Sequence, residues 1–127
     1  MTARQSFSSG QTFTAAQANA LAEATIAVNA QGTATSYTLA LTDAGKLVTF
    51  TGAAATVTIP LNATVAFAVG DQINIAQLGT AQVTIGTASG VTLVSAGSKT
   101  KTNGQYAVAT VVQYTTNSWL LLGNTST

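Results

Sequence analysis

Residues 105–122 read QYAVATVVQYTTNSWLLL, and this stretch decides the fold. From Tyr106 to Tyr114 the side chains fall on two sides, Tyr106, Val108, Val112 and Tyr114 on one and Ala107, Ala109 and Val111 on the other. A period of two marks a β-strand, and a strand apolar on both sides is central in its sheet or covered twice. Thr116-Asn117 then supplies turn residues, and Ser118-Trp119-Leu120-Leu121-Leu122 reads as the partner strand of a hairpin. Just upstream, Asn103-Gly104 tolerates the positive φ angles of a type I′ turn and predicts a further hairpin.

The same grammar extends toward the N-terminus. Val91 to Val94, Gln82-Val83-Thr84-Ile85 and Gln72 to Leu78 each read as a strand, the last with Ile73 and Ile75 on one face and Gly79-Thr80 as the turn that follows. Thr56-Val57-Thr58-Ile59 stops at Pro60, which cannot donate to a ladder. Tyr37, Leu39 and Leu41 alternate with small or polar residues, and Asp43-Ala44-Gly45 joins them to Leu47-Val48-Thr49-Phe50 as a predicted hairpin. Strands this short, closely spaced and turn-linked predict a mainly β protein, an antiparallel β-sandwich or barrel over residues 36–127. Residues 55–60, 81–86 and 90–94 share a Val-Thr-(Ile or Leu) core without a fixed period, which reads as common strand grammar rather than a solenoid. Lys99 and Lys101 fit an exposed edge guarded against unwanted pairing.

Residues 1–35 differ in character. The first 13 hold Phe7 and Phe13 among Ser, Gln, Thr and Gly and read as an extended arm. Thr14 with Gln17 forms a capping-box pattern, and the alanine-rich run Ala15 to Gln31 predicts one α-helix ending at Gly32. Ala18, Leu21, Thr25 and Val28 recur at helical spacing as a narrow stripe. Arm and helix together form the expected attachment and oligomerisation segment, and Phe7, Phe13, Leu21 and Val28 are its candidate protein contacts.

Composition narrows the function. The chain has no His and no Cys, and only 6% of it is charged although 46% is apolar. Ordinary domains are about a quarter charged, so much of this surface is Thr, Ser, Asn, Gln, Gly and Ala. A neutral skin associates readily, which predicts a homo-oligomer or a subunit among neighbours. The net charge of +1 is too small to hold a phosphate backbone, so nucleic acid is not an expected partner. No apolar run reaches the roughly 20 residues of a membrane helix, and no membrane partner is expected. The start of the chain lacks an apolar signal core, which predicts synthesis in the cytoplasm.

Three carboxylates, Glu23, Asp43 and Asp71, are spread over a helix, a turn and a loop, so no catalytic set, metal site or cofactor is predicted. The two aspartates read as turn formers. Trp119, ahead of three leucines, reads as core rather than as a sugar-stacking platform.

Ser36-Tyr37-Thr38-Leu39, Asp43-Ala44-Gly45-Lys46-Leu47-Val48, Val57-Thr58-Ile59-Pro60, Phe67-Ala68-Val69-Gly70-Asp71-Gln72-Ile73, Gly104-Gln105-Tyr106-Ala107-Val108-Ala109 and Trp119-Leu120-Leu121 occur in that order. Residues 36–123 thereby resemble a β domain that recurs in tailed-bacteriophage virion proteins, often distal in tail-fibre or minor tail proteins. Gly10-Gln11-Thr12-Phe13-Thr14-Ala15-Ala16 is also similar to the starts of phage structural proteins. The resemblance implies a trimer, or part of a larger lattice, on a virion surface and carries no catalytic set. The chain has no fibre shaft, which favours a capsid decoration (cement) subunit bound to the major capsid protein or other virion subunits. The alternative is a tail-tip or tail-fibre-like receptor-binding protein that takes carbohydrate.

Overall fold

The computed structural model describes residues 27–127, together with Ala15. The expected arm, most of the expected helix, and Phe7, Phe13 and Leu21 lie outside the described residues. The described chain is mainly β. Its strands are β1 (Val28–Gly32), β2 (Ser36–Thr38), β3 (Leu47–Phe50), β4 (Ala55–Ile59), β5 (Gln72–Gln77), β6 (Val83–Thr87), β7 (Thr92–Ser95), β8 (Lys101–Thr102), β9 (Val108–Thr115), β10 (Ser118–Gly123) and β11 (Thr125–Ser126). Two short 3-10 turns, Leu41–Asp43 and Ala96–Ser98, interrupt them.

The strands form two mixed sheets, not antiparallel ones. The first runs β1-β3-β5-β9-β10-β7 and the second β11-β8-β6-β4-β2. From β1 to β6 the chain alternates between them, so each strand pairs in parallel with the strand two places on: β1 with β3, β3 with β5, β2 with β4, β4 with β6. The chain therefore winds as a two-sheet roll, and the strand in the opposite sheet supplies the long connection that parallel pairing requires. β7 also pairs in parallel, with β10 at the far edge of the first sheet. Antiparallel pairing enters where β9 closes on β5 and β10, and where β8 joins β6 and β11.

Several expected hairpins are consequently arches between sheets. Asp43-Ala44-Gly45 carries the chain from β2 to β3, Gly79-Thr80 from β5 to β6, and Asn103-Gly104 from β8 to β9. Positive φ after β8 falls on Tyr106, at 70°, and not on Asn103 or Gly104. Thr116-Asn117 does close a hairpin, β9 with β10, and Asn117 takes the positive φ of 60° that the turn needs. Gly79 is required by a close approach: a Cβ there would sit 2.6 Å from the carbonyl oxygen of Thr51, beyond the end of β3.

Val28 to Gln31, assigned to the end of the helix by the alanine-rich pattern, are strand β1. A parallel ladder onto β3, flanked by hydrogen bonds from Leu47 N–H to Ala27 O and from Thr51 N–H to Gly32 O, outweighs the modest helix preference of these residues. The first sheet thus begins at Val28, ahead of the Ser36 boundary expected for the β segment. Lys101 is likewise not on an edge, because β8 lies between β6 and β11.

One apolar core joins both sheets. Val48, Ile73, Ile75, Ala109, Val111 and Leu121 come from the first, and Ala55, Val57, Ile59, Val83 and Ile85 from the second. Such shared burial is compatible with a β-sandwich. Trp119 is buried with them and meets Phe67 edge to face, ring centroids 5.3 Å apart. Most buried polar groups are paired, the Asn62 side-chain oxygen being an exception. Thr102 Oγ1 donates to Gln77 Oε1 at 2.5 Å and accepts from Val83 N–H at 2.9 Å, while Gln113 Nε2 donates to Phe67 O.

Candidate interaction surface

Alternation that puts every second residue into the core puts the others on the outer faces, and the two faces differ. On the second sheet, cross-strand partners Ser36, Thr56, Thr84, Lys101 and Ser126 form a hydroxyl-rich row broken by one charge. Thr38 and Thr58 begin a second row. This face hydrogen-bonds readily to water.

The outer face of the first sheet lacks charge entirely, since none of its six strands contains Asp, Glu, Lys or Arg. Val94 pairs with Leu120, and Leu120 with Val112, giving an apolar row across β7, β10 and β9. A second row runs from Leu122 through Thr110, Asn74 and Leu47 to Val28, crossing five strands. Val108 heads a third, over Ala76 and Thr49, and is its exposed member, for Ala76 and Thr49 are buried. Val94, Val108, Leu120 and Leu122 are each 40–46% exposed, and Tyr114, the extra residue of a bulge in β9, adds a half-exposed ring. Contiguous exposed apolar area of this kind marks an interaction site.

Of the four contact candidates, Val28 alone is described. It is the outermost residue of the second row and is 62% exposed. Leu120, Leu122 and Val94 were missed by the sequence reading. Their signal was present in Trp119-Leu120-Leu121-Leu122, where every residue is apolar although only alternate ones enter the core, as Trp119 and Leu121 do. β9 is central, as its pattern requires, but its outer side is left uncovered by the described residues.

Among the described residues, the two aspartates are engaged in structural hydrogen bonds. Asp43 is 1% exposed and its carboxylate accepts hydrogen bonds from Tyr37 Oη at 2.6 Å, Asn29 Nδ2 at 2.7 Å and Ala40 N–H at 2.8 Å. Asp43 is therefore more than a turn former: it ties the edge strand β1 to the roll. The Tyr37 hydroxyl is pushed up to about 12, first by burial and then by the hydrogen bond and charge of Asp43, with the hydrogen bond from Asn29 opposing. Asp71 accepts from Ala68 N–H at 3.0 Å and shapes the turn before β5. Among the described residues no group of three or more His, Cys, Asp or Glu could hold a metal ion. No helix among them is long and apolar enough to cross a membrane.

No family model, curated protein or solved structure matches the chain.

Proposed function

We propose that this protein is a bacteriophage virion structural subunit, a capsid decoration (cement) protein that binds and stabilises the particle surface without covalent bonds. The observation that carries this reading is the outer face of the first sheet, apolar across β7, β10 and β9 and uncharged across all six strands. A face of this kind suits close, dry contact. The resemblance of residues 36–123 to virion β domains points the same way, and we read the two sheets as its β-sandwich.

In this reading the subunit acts as a homo-oligomer, a trimer, seated on the major capsid protein or other virion subunits. Each contact buries apolar area worth about 25 cal/mol per Å2, and several contacts per oligomer raise the residence time on the particle. Residues 1–35 supply the attachment segment, with Phe7, Phe13, Leu21 and Val28 as contacts. The competing tail-tip reading requires exposed aromatic rings for sugar stacking. Trp119 is buried, so that role would fall to Tyr106 and Tyr114.

Co-sedimentation with purified phage capsids, followed by electron microscopy, tests the proposal. Stoichiometric decoration that raises the capsids' resistance to heat is expected. Absence from the capsid surface, with reproducible hits on a glycan array, would favour the tail-tip protein instead.

A further inference from the structure

We infer that Asn103 is a self-modification site, at which the Gly104 backbone nitrogen displaces the side-chain amide group and water opens the resulting ring to aspartate or isoaspartate. The inference is independent of where the protein sits on any particle.

Asn103-Gly104 is the chain's one Asn-Gly step, and it lies in the arch between β8 and β9, outside both strands. Closing a ring from a backbone nitrogen onto the preceding side chain is an intramolecular step, so proximity and a free approach decide its rate. Gly104 brings no β carbon to obstruct it. Gly104 N–H makes no backbone hydrogen bond among the described residues, although the arch is tied on both sides, by Asn103 N–H to Asn124 O at 3.1 Å and Ala107 N–H to Gly104 O at 3.0 Å. Asn103 is exposed, so water and hydroxide reach it.

The other described asparagines lack this combination. Each precedes a residue with a β carbon. Asn29 Nδ2 is held by Tyr37 and Asp43, Asn74 Oδ1 accepts from Thr110 Oγ1, and Asn117 Oδ1 accepts from Asn62 N–H. Asn74 is further fixed in the ladder of β5.

The chemistry needs water alone as co-reactant. The peptide nitrogen is a weak nucleophile while its lone pair is delocalised, so it first yields its proton to hydroxide. A bond then forms from Gly104 N to Asn103 Cγ, the bond from Cγ to Nδ2 breaks, and the nitrogen leaves as ammonia with a proton from water. Water next adds to the succinimide. Cleavage at Cγ gives aspartate, and cleavage at the backbone carbonyl gives isoaspartate, whose chain runs through the side-chain carbon. Nothing is oxidised or reduced; an amide and water become a carboxylic acid and ammonia.

The product matters because the chain carries so little charge. Four basic side chains against three acidic ones become four against four, and the formal net charge falls from +1 to zero. A protein without net charge associates most readily.

The purified full chain, incubated at neutral and mildly alkaline pH, tests the inference by cation exchange and by peptide mass spectrometry that resolves isoaspartate. One more acidic species is expected, growing faster at higher pH, with the change on Asn103 and both acids present. Direct hydrolysis without a ring would give aspartate alone. Gly104→Ala is the informative variant, because a Cβ there would meet no atom within 4 Å apart from its chain neighbours and the fold accepts it. Its methyl group beside the attacking nitrogen is expected to slow the reaction about tenfold, equivalent to about 1.4 kcal/mol in the barrier, with an unchanged circular dichroism spectrum. Asn103→Gln, on an exposed side chain that would have to close a larger ring, is expected to lack the acidic species. No acidic species from the wild type, earlier modification of another asparagine, aspartate alone, or an undiminished rate in Gly104→Ala would each overturn the inference.

Discussion

Replacing the buried Asp43 should cost more stability than replacing Asp71, the chain's other aspartate, and the amount follows from its partners. The carboxylate is buried and accepts from the Tyr37 hydroxyl, the Asn29 amide and the Ala40 N–H. Hydrogen bonds to a charged acceptor each contribute about 1.5–3 kcal/mol, and donors left unpaired on truncation lose further free energy. Tyr37 and Asn29 are only half-buried, so both regain water in the mutant, and the desolvation cost of the carboxylate is recovered. The balance for Asp43→Ala is a loss of about 3 kcal/mol, against a total of about 5–15 kcal/mol for a domain. Asp43→Asn should cost nearly as much, because an amide offers one acceptor oxygen and one donor, and the donor must then face another donor. With a urea slope of about 1.5 kcal/mol/M the midpoint should fall by roughly 2 M in either variant. Tyr37→Phe, which removes one of the three donors, should lower it by about a third as much. Equilibrium unfolding monitored by Trp119 fluorescence measures all three. A loss under about 0.5 kcal/mol in Asp43→Ala would mean that the cluster is solvated and does not anchor β1.

Tyr37 should ionise late in an ultraviolet alkaline titration, near its value of about 12, and Tyr37→Phe should remove that step. Because the folded value lies above the ordinary tyrosine value of 10.0, the linked stabilisation is complete below about pH 10 and is lost as pH rises through about 12. Urea midpoints of the wild type should therefore fall more steeply than those of Tyr37→Phe over that window, and parallel curves would contradict the linkage. Thr102→Val, nearly isosteric, should lose about 2–3 kcal/mol by stranding the buried Gln77 oxygen and the Val83 N–H; a change within about 0.5 kcal/mol would show that these groups find other partners.

The positions of the strands were legible because burial imposes a period of two, and β9, β10, β5 and β4 lie close to where their apolar alternation puts them. Their pairing was not legible. Alternation fixes which side chains face the core, but a Val-Thr-Ile segment alternates identically in parallel and antiparallel ladders. A tight turn also reads alike whether it folds a strand back on its neighbour or arches it into the facing sheet. The similar segments of β4 and β6 do stack, Val57 beside Ile85, as successive turns of the roll. The spacing from Val28 to Leu47 is much shorter than that from Leu47 to its partner Asn74, so no fixed period betrays the winding. At β1 the sequence misled for another reason. Alanine-rich composition measures a local preference of tenths of a kcal/mol per residue, whereas an open edge on β3 offers a whole ladder.

Winding also explains why the uncharged face matters more than its apolar count alone. In a roll the outer residues of successive turns lie in register, so Leu47 of one turn stands beside Val28 and Asn74 of its neighbours rather than being scattered. The same register lines up Ser36, Thr56 and Thr84 on the opposite sheet. One winding thus sorts the surface into a side that water solvates well and a side that it does not. Lys101 sits on the former, and no charge on any strand interrupts the latter. The low charge of the chain is thus shared by both sheets, with Lys101 the one charged residue on any described strand.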